Sequence, residues 1–217
     1  MLMKSFLIIG MGSLGHHICY EFIKNGCDVM VADISAEAMD DVLSDVASAR
    51  VCDCTRREVL ADFGVDEFDA CFVCVGDNFQ NCLEITDQLR ELGAKKIYSS
   101  CDRGIEEKFL LRNGADHVIY PERDIARRIA GSESSQSVFD CINLTDDFAI
   151  YEIAPLDKWV GKTVRNIDFR NKYNLNIVAF KEGDKVMPLS RNDYIFKKEE
   201  HLLVLGHIED VKKAFKL

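Results

Sequence analysis

The chain has 217 residues, 27 Lys and Arg against 37 Asp and Glu for a formal charge of −10, 47% hydrophobic residues and only 3 prolines. At about 100–200 residues per domain, this allows one full domain plus a small one with a sizeable core, and it excludes disorder and collagen-like repeats. The negative charge argues against nucleic acid and anionic membranes as partners, because its long-range field repels phosphate polymers.

Met1–Ile9 is too short for a signal peptide and Gly10 interrupts it, while no apolar run approaches the ~18 residues of a membrane span. The expectation is a cytosolic protein whose nine cysteines are thiols. Charge is uneven along the chain. Residues 1–130 carry 14 basic and 23 acidic side chains, whereas residues 131–217 carry 13 and 14. Two different modules are expected.

Residues 1–130 alternate short β-branched apolar runs with amphipathic stretches. The runs are Phe6–Ile9, Asp28–Ala32, Arg50–Cys52, Ala70–Val75, Lys96–Tyr98 and His117–Ile119. Between them, apolar residues recur at helical spacing, as in Cys82, Ile85, Leu89 and Leu92. Strands apolar on both faces and separated by helices predict an α/β fold, a Rossmann-like doubly wound parallel sheet. Gly26, Gly93 and Gly114 each fit a left-handed helix stop, and Pro121 opens a last helix, where a missing N–H costs nothing.

Gly131–Ser137 is small and polar, which predicts a loop or frayed helix end between modules, dividing the chain into domains 1–131 and 138–217. Beyond it, alternating strands are expected at Val138–Leu144, Phe148–Ile153, Asn176–Lys181, Lys185–Met187 and Leu202–Leu205. Helical pieces around Val164–Asp168 and Ile208–Phe215 complete a smaller α+β lobe.

The sharpest motif is Gly10-Met11-Gly12-Ser13-Leu14-Gly15, directly after the first strand and opening the first helix. Gly10 serves the tight turn, Gly12 lets backbone approach a phosphate, and Gly15 lets helix and strand pack closely. The helix start offers free N–H groups and partial positive charge. Eighteen residues after Gly15, the second strand ends in Asp33, a carboxylate placed to accept ribose hydroxyls and to repel a 2′-phosphate. Asp53-Cys54 and Val75-Gly76 follow the third and fourth strands, at the edge of the same crevice. Asp53 equally suits an N-cap for a helix over Thr55–Phe63.

Other signals read as structural. Cys71 and Cys74 alternate to opposite faces of a strand and should not converge on one metal; Cys54, at the crevice, is the thiol expected to be worth testing for reactivity. His16 and His17 splay apart on a helix, so a surface or packed state is favoured over a phosphate contact; His201 and His207 lack a third ligand candidate. Arg127-Arg128 suits a solvated face or ion pairs across a dimer better than a phosphate clamp.

With these residues in view, the chain resembles the RCK family, regulators of potassium conductance in Trk- and Ktr-type uptake systems. The resemblance runs through the Gly-rich turn, Asp33, Asp53, Val75-Gly76-Asp77-Asn78, the stretch Asn113–Glu122 and Asp168–Tyr173. It implies a dimeric nucleotide-binding lobe assembled into a ring under a potassium-translocating membrane subunit. It also implies a C-terminal lobe that dimerises and, in some members, binds cyclic di-adenosine monophosphate, with Arg170, Tyr173 and Pro188 in the corresponding region.

The adenine-nucleotide contacts implied are Gly10, Gly12, Ser13, Leu14 and Gly15 in the turn and Asp33 and Ile34 after the second strand. Asp53 and Cys54 follow the third strand, Val75, Gly76 and Asn78 the fourth, and Ser100 and Arg103 the fifth. Glu122 matches an acid that sits near the phosphates in ATP-responsive relatives, directly or through a cation such as Mg²⁺; a first-turn acid favourable to the helix dipole is the alternative. Ser13 and Ser100 stand where ATP-binding relatives often place Arg and Lys. Losing two charge-assisted contacts favours AMP, ADP or NAD(H) over ATP. The expected function is nucleotide-dependent gating without catalysis. An NAD-dependent oxidoreductase is the competing reading, weakened by a second lobe of about 80 residues, small for a catalytic domain.

Overall fold

The computed structural model describes residues 3–76, 78–133, 138–145, 147–190 and 193–215. The chain divides into two compact units, Met1–Pro121 and Glu122–Leu217. None of the helices in the described residues is long and apolar enough to cross a membrane.

In the first unit, β1 (Ser5–Ile9), β2 (Asp28–Asp33), β3 (Ser48–Val51), β4 (Ala70–Val73), β5 (Ile97–Ser100) and β6 (His117–Ile119) form one sheet in the order β3-β2-β1-β4-β5-β6. Every pairing is parallel. Since β1 sits centrally between β2 and β4, the strand order reverses at its carboxyl end, where a doubly wound sheet opens a ligand crevice.

The helices are α1 (Ser13–Lys24), α2 (Arg57–Asp62), α3 (Phe79–Glu91) and α4 (Gly104–Arg112). One sheet face packs Leu7, Ile9 and Ile97 against Leu60 of α2, Ile85 and Leu89 of α3 and Leu110 of α4. The other packs Phe6, Ile8, Val31 and Phe72 against Cys19 and Phe22 of α1. Burial on both faces is why these strands are continuous apolar runs rather than alternating ones. Cys71 and Cys74 belong to opposite faces, as strand alternation requires. Gly26, Gly93 and Gly114 all have positive φ at helix ends, the conformation an L side chain rarely adopts.

Several boundaries differ from expectation: the third strand is Ser48–Val51 rather than Arg50–Cys52, the fifth Ile97–Ser100 rather than Lys96–Tyr98, and the last His201–His207 rather than Leu202–Leu205. The fourth strand ends at Val73, so Val75 lies in the loop beyond it. The helix expected from Thr55 begins at Arg57, with Arg56 at its N-cap. The helix opened by Pro121, α5 (Pro121–Glu133), continues through Gly131, while Ser134–Ser137 of the expected loop lie outside the described residues, as does Asp77.

In the second unit, β7 (Val138–Asn143), β8 (Phe148–Ile153), β9 (Asn176–Glu182), β10 (Lys185–Pro188) and β11 (His201–His207) form an antiparallel sheet in the order β10-β9-β11-β8-β7. Its helices are α6 (Val164–Ile167), α7 (Phe169–Tyr173) and α8 (Ile208–Phe215). Trp159, 2% exposed, centres the core. Phe169, Phe196 and Phe215 surround its ring, and its indole N–H donates to Tyr173 Oη at 3.2 Å.

Candidate nucleotide crevice

The three glycines of the turn differ in what surrounds them. Gly10 has φ +92°, and a Cβ there would lie 2.7 Å from the Cys74 carbonyl oxygen. A Cβ on Gly15 would meet the Gly10 carbonyl oxygen at 2.1 Å, so the helix start is pressed directly onto the turn. Gly12 faces open space: a Cβ there meets nothing within 4 Å. Two glycines are therefore required by the protein's own packing, and the third leaves room beside the backbone.

Gly12 is also the N-cap of α1, in extended conformation, and no side chain caps the helix. The first turn carries no acidic residue. Its N–H groups and the positive end of the helix dipole are thus available to an anion. Ser13 is exposed in that turn and Leu14 is half-buried.

Asp33 ties the second strand to the turn. Its Oδ2 accepts the Met11 N–H at 2.6 Å and its Oδ1 accepts the Ser35 N–H at 2.9 Å. Ile34 beside it is 77% exposed, an apolar side chain next to the acid. Sequence pattern alone did not reveal that Met11 supplies the donor; its side chain is buried, so the residue reads as core.

At the end of β3, Asp53 Oδ1 accepts the Thr55 hydroxyl at 2.7 Å and the Thr55 N–H at 3.0 Å, and these bonds hold its carboxyl below the usual range. This is an Asx turn: Asp53 does not cap the helix, whose N-cap is Arg56. Cys54 is 4% exposed, and burial pushes its thiol far up, with Cys52 Sγ at 3.9 Å. A thiol held protonated by desolvation is a poor nucleophile, which bears on Cys54 as the crevice thiol to test.

Beyond β4, Asn78 caps α3 by accepting the Asn81 N–H at 3.2 Å. Gly76 faces the neighbouring loop, where a Cβ would lie 3.6 Å from Asp102 Oδ1. Ser100 ends β5, 5% exposed, and its hydroxyl has no hydrogen-bond partner. Arg103 is exposed at the N-cap of α4, where Glu106 Oε2 accepts the N–H groups of both Asp102 and Arg103 at 3.1 Å. The first unit thus gathers the turn, Asp33, Asp53, Gly76, Ser100 and Arg103 at the carboxyl ends of its strands. Glu122 lies in the second unit, exposed in the first turn of α5.

Other singled-out side chains are engaged locally. His16 Nδ1 lies 3.3 Å from Asp41. Arg128 forks onto Asp140 at 2.9 and 2.6 Å within the second unit, its side chain still largely exposed as on a solvated face. His201 Nδ1 lies 2.6 Å from Glu152 and its ring stacks on Phe139, while Lys181 donates to the other Glu152 oxygen at 2.7 Å. Arg165, Asp168, Arg170 and Asn176 line a cavity of about 290 Å³ in the second unit. Tyr173 instead partners Trp159, and Pro188 ends β10.

Comparison with known proteins agrees with this architecture. The TrkA-N domain family matches residues 6–121 and the TrkA-C domain family residues 148–217. The chain is 33% identical to Ktr system potassium uptake protein C of Bacillus subtilis (strain 168) over 210 residues, 97% of this chain and 95% of that one. It is 30% identical to Ktr system potassium uptake protein A of the same organism, with the same coverage. Among solved structures, the GsuK RCK domain superposes with a TM-score of 0.68 at 16% identity, covering 99% of this chain and 47% of that one. The GsuK channel bound to NAD gives 0.68 at 16% identity over 96% of this chain and 38% of that one. With both halves matched in order and these relatives aligned nearly end to end, the chain belongs to the RCK family of Ktr- and Trk-type potassium uptake proteins, a TrkA-N domain followed by a TrkA-C domain.

Proposed function

We propose that this chain is a cytoplasmic regulatory subunit that gates a potassium-translocating membrane protein in response to an adenine nucleotide. One observation carries the reading: the uncapped start of α1 beside open space at Gly12, with the Asp33 carboxylate one strand away. The turn would hold a phosphate through backbone N–H groups, while Asp33 would take the ribose hydroxyls. Ser13, Leu14 and Gly15 would line the phosphate, Ile34, Asp53 and Cys54 the adenine, and Val75, Gly76, Asn78, Ser100 and Arg103 the far end. Residues 1–131 form the nucleotide-binding domain and residues 138–217 the dimerising one.

AMP, ADP or NAD(H) is favoured over ATP because an acidic lobe with serine at positions 13 and 100 offers few cations to a polyphosphate. Glu122 would reach the phosphates through Mg²⁺ in the assembled form. The subunits would pair and build a ring at the inner membrane face, and the Arg165 and Arg170 cavity is a candidate for cyclic di-adenosine monophosphate. A nucleotide moves such a channel only by binding two arrangements of the subunits with different affinity. No reaction is catalysed.

Calorimetric titration with AMP, ADP, ATP, NAD⁺ and NADH, with and without Mg²⁺, tests this reading together with potassium flux through the reconstituted membrane partner. Binding with a nucleotide-dependent change in flux is expected. Sustained oxidation of NADH with a carbonyl substrate would overturn it.

A further inference from the structure

Two side chains at the end of β5 and just beyond it, Ser100 and Asp102, bear on which end of a nucleotide the crevice accepts. Successive residues of a strand face opposite sides. Ser99 turns toward α3, where its hydroxyl lies 2.7 Å from that of Thr86. Ser100 therefore turns to the α1 side. Continuing the register in which Val73 pairs with Ser99 places Ser100 beside Cys74. Cys74 is the residue whose carbonyl bounds Gly10 and whose Cβ bounds Gly15. The buried, unpartnered Ser100 hydroxyl thus lies two strands from the Gly-rich turn, beside the Cys74 that bounds that turn, and is poised for a hydrogen bond the protein itself does not supply.

Asp102 adds a carboxylate to the same end of the crevice, facing Gly76. Glu106 adds a second acid behind it, bonded to the Asp102 and Arg103 backbone. Arg103, the neighbouring cation, is exposed at the start of α4. A terminal phosphate here would meet carboxylates and a neutral hydroxyl, whereas a sugar would find an acceptor for its hydroxyls and a serine that can donate or accept.

We propose that Ser100 and Asp102 are specificity-determining residues that form a subsite for the uncharged hydroxyls of a second ribose and disfavour a terminal phosphate. The proposal rests on the nucleotide-binding reading above and narrows its ligand class to dinucleotides and ADP-ribose.

Calorimetry on the full chain with AMP, ADP, ATP, ADP-ribose and NAD⁺, without divalent cation, tests it. The native chain is expected to bind ADP-ribose and NAD⁺ at least tenfold more tightly than ATP. Asp102→Asn should weaken ADP-ribose at least threefold and tighten ATP at least threefold, leaving AMP, which lacks the distal group, within twofold. Ser100→Ala should weaken ADP-ribose with AMP unchanged, and it serves if the first variant does not fold. Normal AMP binding together with an unchanged ADP-ribose to ATP ratio in the folded variants would overturn the subsite alone. Failure of AMP to bind the native chain would overturn the nucleotide reading and the subsite with it.

Discussion

Asp33 Oδ2 accepts the backbone N–H of Met11 at 2.6 Å, so the residue proposed to read a ribose also clamps the Gly-rich turn. Asp33→Ala should therefore lower affinity for every adenosine nucleotide by at least tenfold, and it should loosen the turn in the absence of ligand. A charge-assisted hydrogen bond is worth about 1.5–3 kcal/mol. Calorimetry gives the affinity, and hydrogen exchange at the Met11 amide gives the loosening. Unaltered exchange at that amide would sever the link between acid and turn.

Gly12 and Gly15 separate packing from binding. Gly15→Ala forces a Cβ to within 2.1 Å of the Gly10 carbonyl, and overpacking of this kind costs about 1–3 kcal/mol. Its thermal midpoint should fall, with loss of nucleotide affinity. Gly12→Ala has room and no positive φ, so its midpoint should stay within a degree or two. Any affinity it loses then reports a ligand against the backbone.

Much of this was legible beforehand. Six β-branched runs marked the parallel strands, and Gly26, Gly93 and Gly114 marked helix ends, because local steric rules dictate both. What the sequence left open lies where one residue type serves two local motifs. Asp53 precedes a helix, which suits an N-cap, yet bonding to Thr55 two residues on satisfies it first. Cys54 follows a strand like a crevice residue, and only the packing of α2 and α3 over it reveals its burial. Arg128 and Asp140 are twelve residues apart on a helix and a strand, a pairing that local pattern cannot contain.

The ion pairs of the second unit set an acid limit. The Arg128 guanidinium holds the Asp140 carboxyl below its ordinary 3.8. Burial opposes ionisation of Glu152, but hydrogen bonds with His201 and Lys181 hold it below its ordinary 4.5. Depressed carboxyl values contribute stability that is present above the unfolded values and lost as pH falls through the folded ones. Urea unfolding of Asp140→Asn should accordingly show a smaller loss of stability than the native chain below about pH 4.

Thiol labelling should follow burial rather than position in the crevice. Cys27, Cys52 and Cys141 are half-buried, and the other six cysteines are buried. Burial pushes the thiols of Cys71, Cys74 and Cys82 up to about 12. An aromatic disulfide reagent on the native chain should modify the three half-buried sites first and reach Cys54 only on unfolding. Rapid modification of Cys54 would show that its loop opens.

Trp159, buried among Phe169, Phe196 and Phe215, is the single tryptophan of the chain. All indole fluorescence therefore originates in the TrkA-C half. Emission excited at long wavelength becomes a spectroscopic label for that half alone, present without any engineered dye. A nucleotide titration followed by this signal therefore asks whether occupancy of the Gly-rich turn is felt in the second unit.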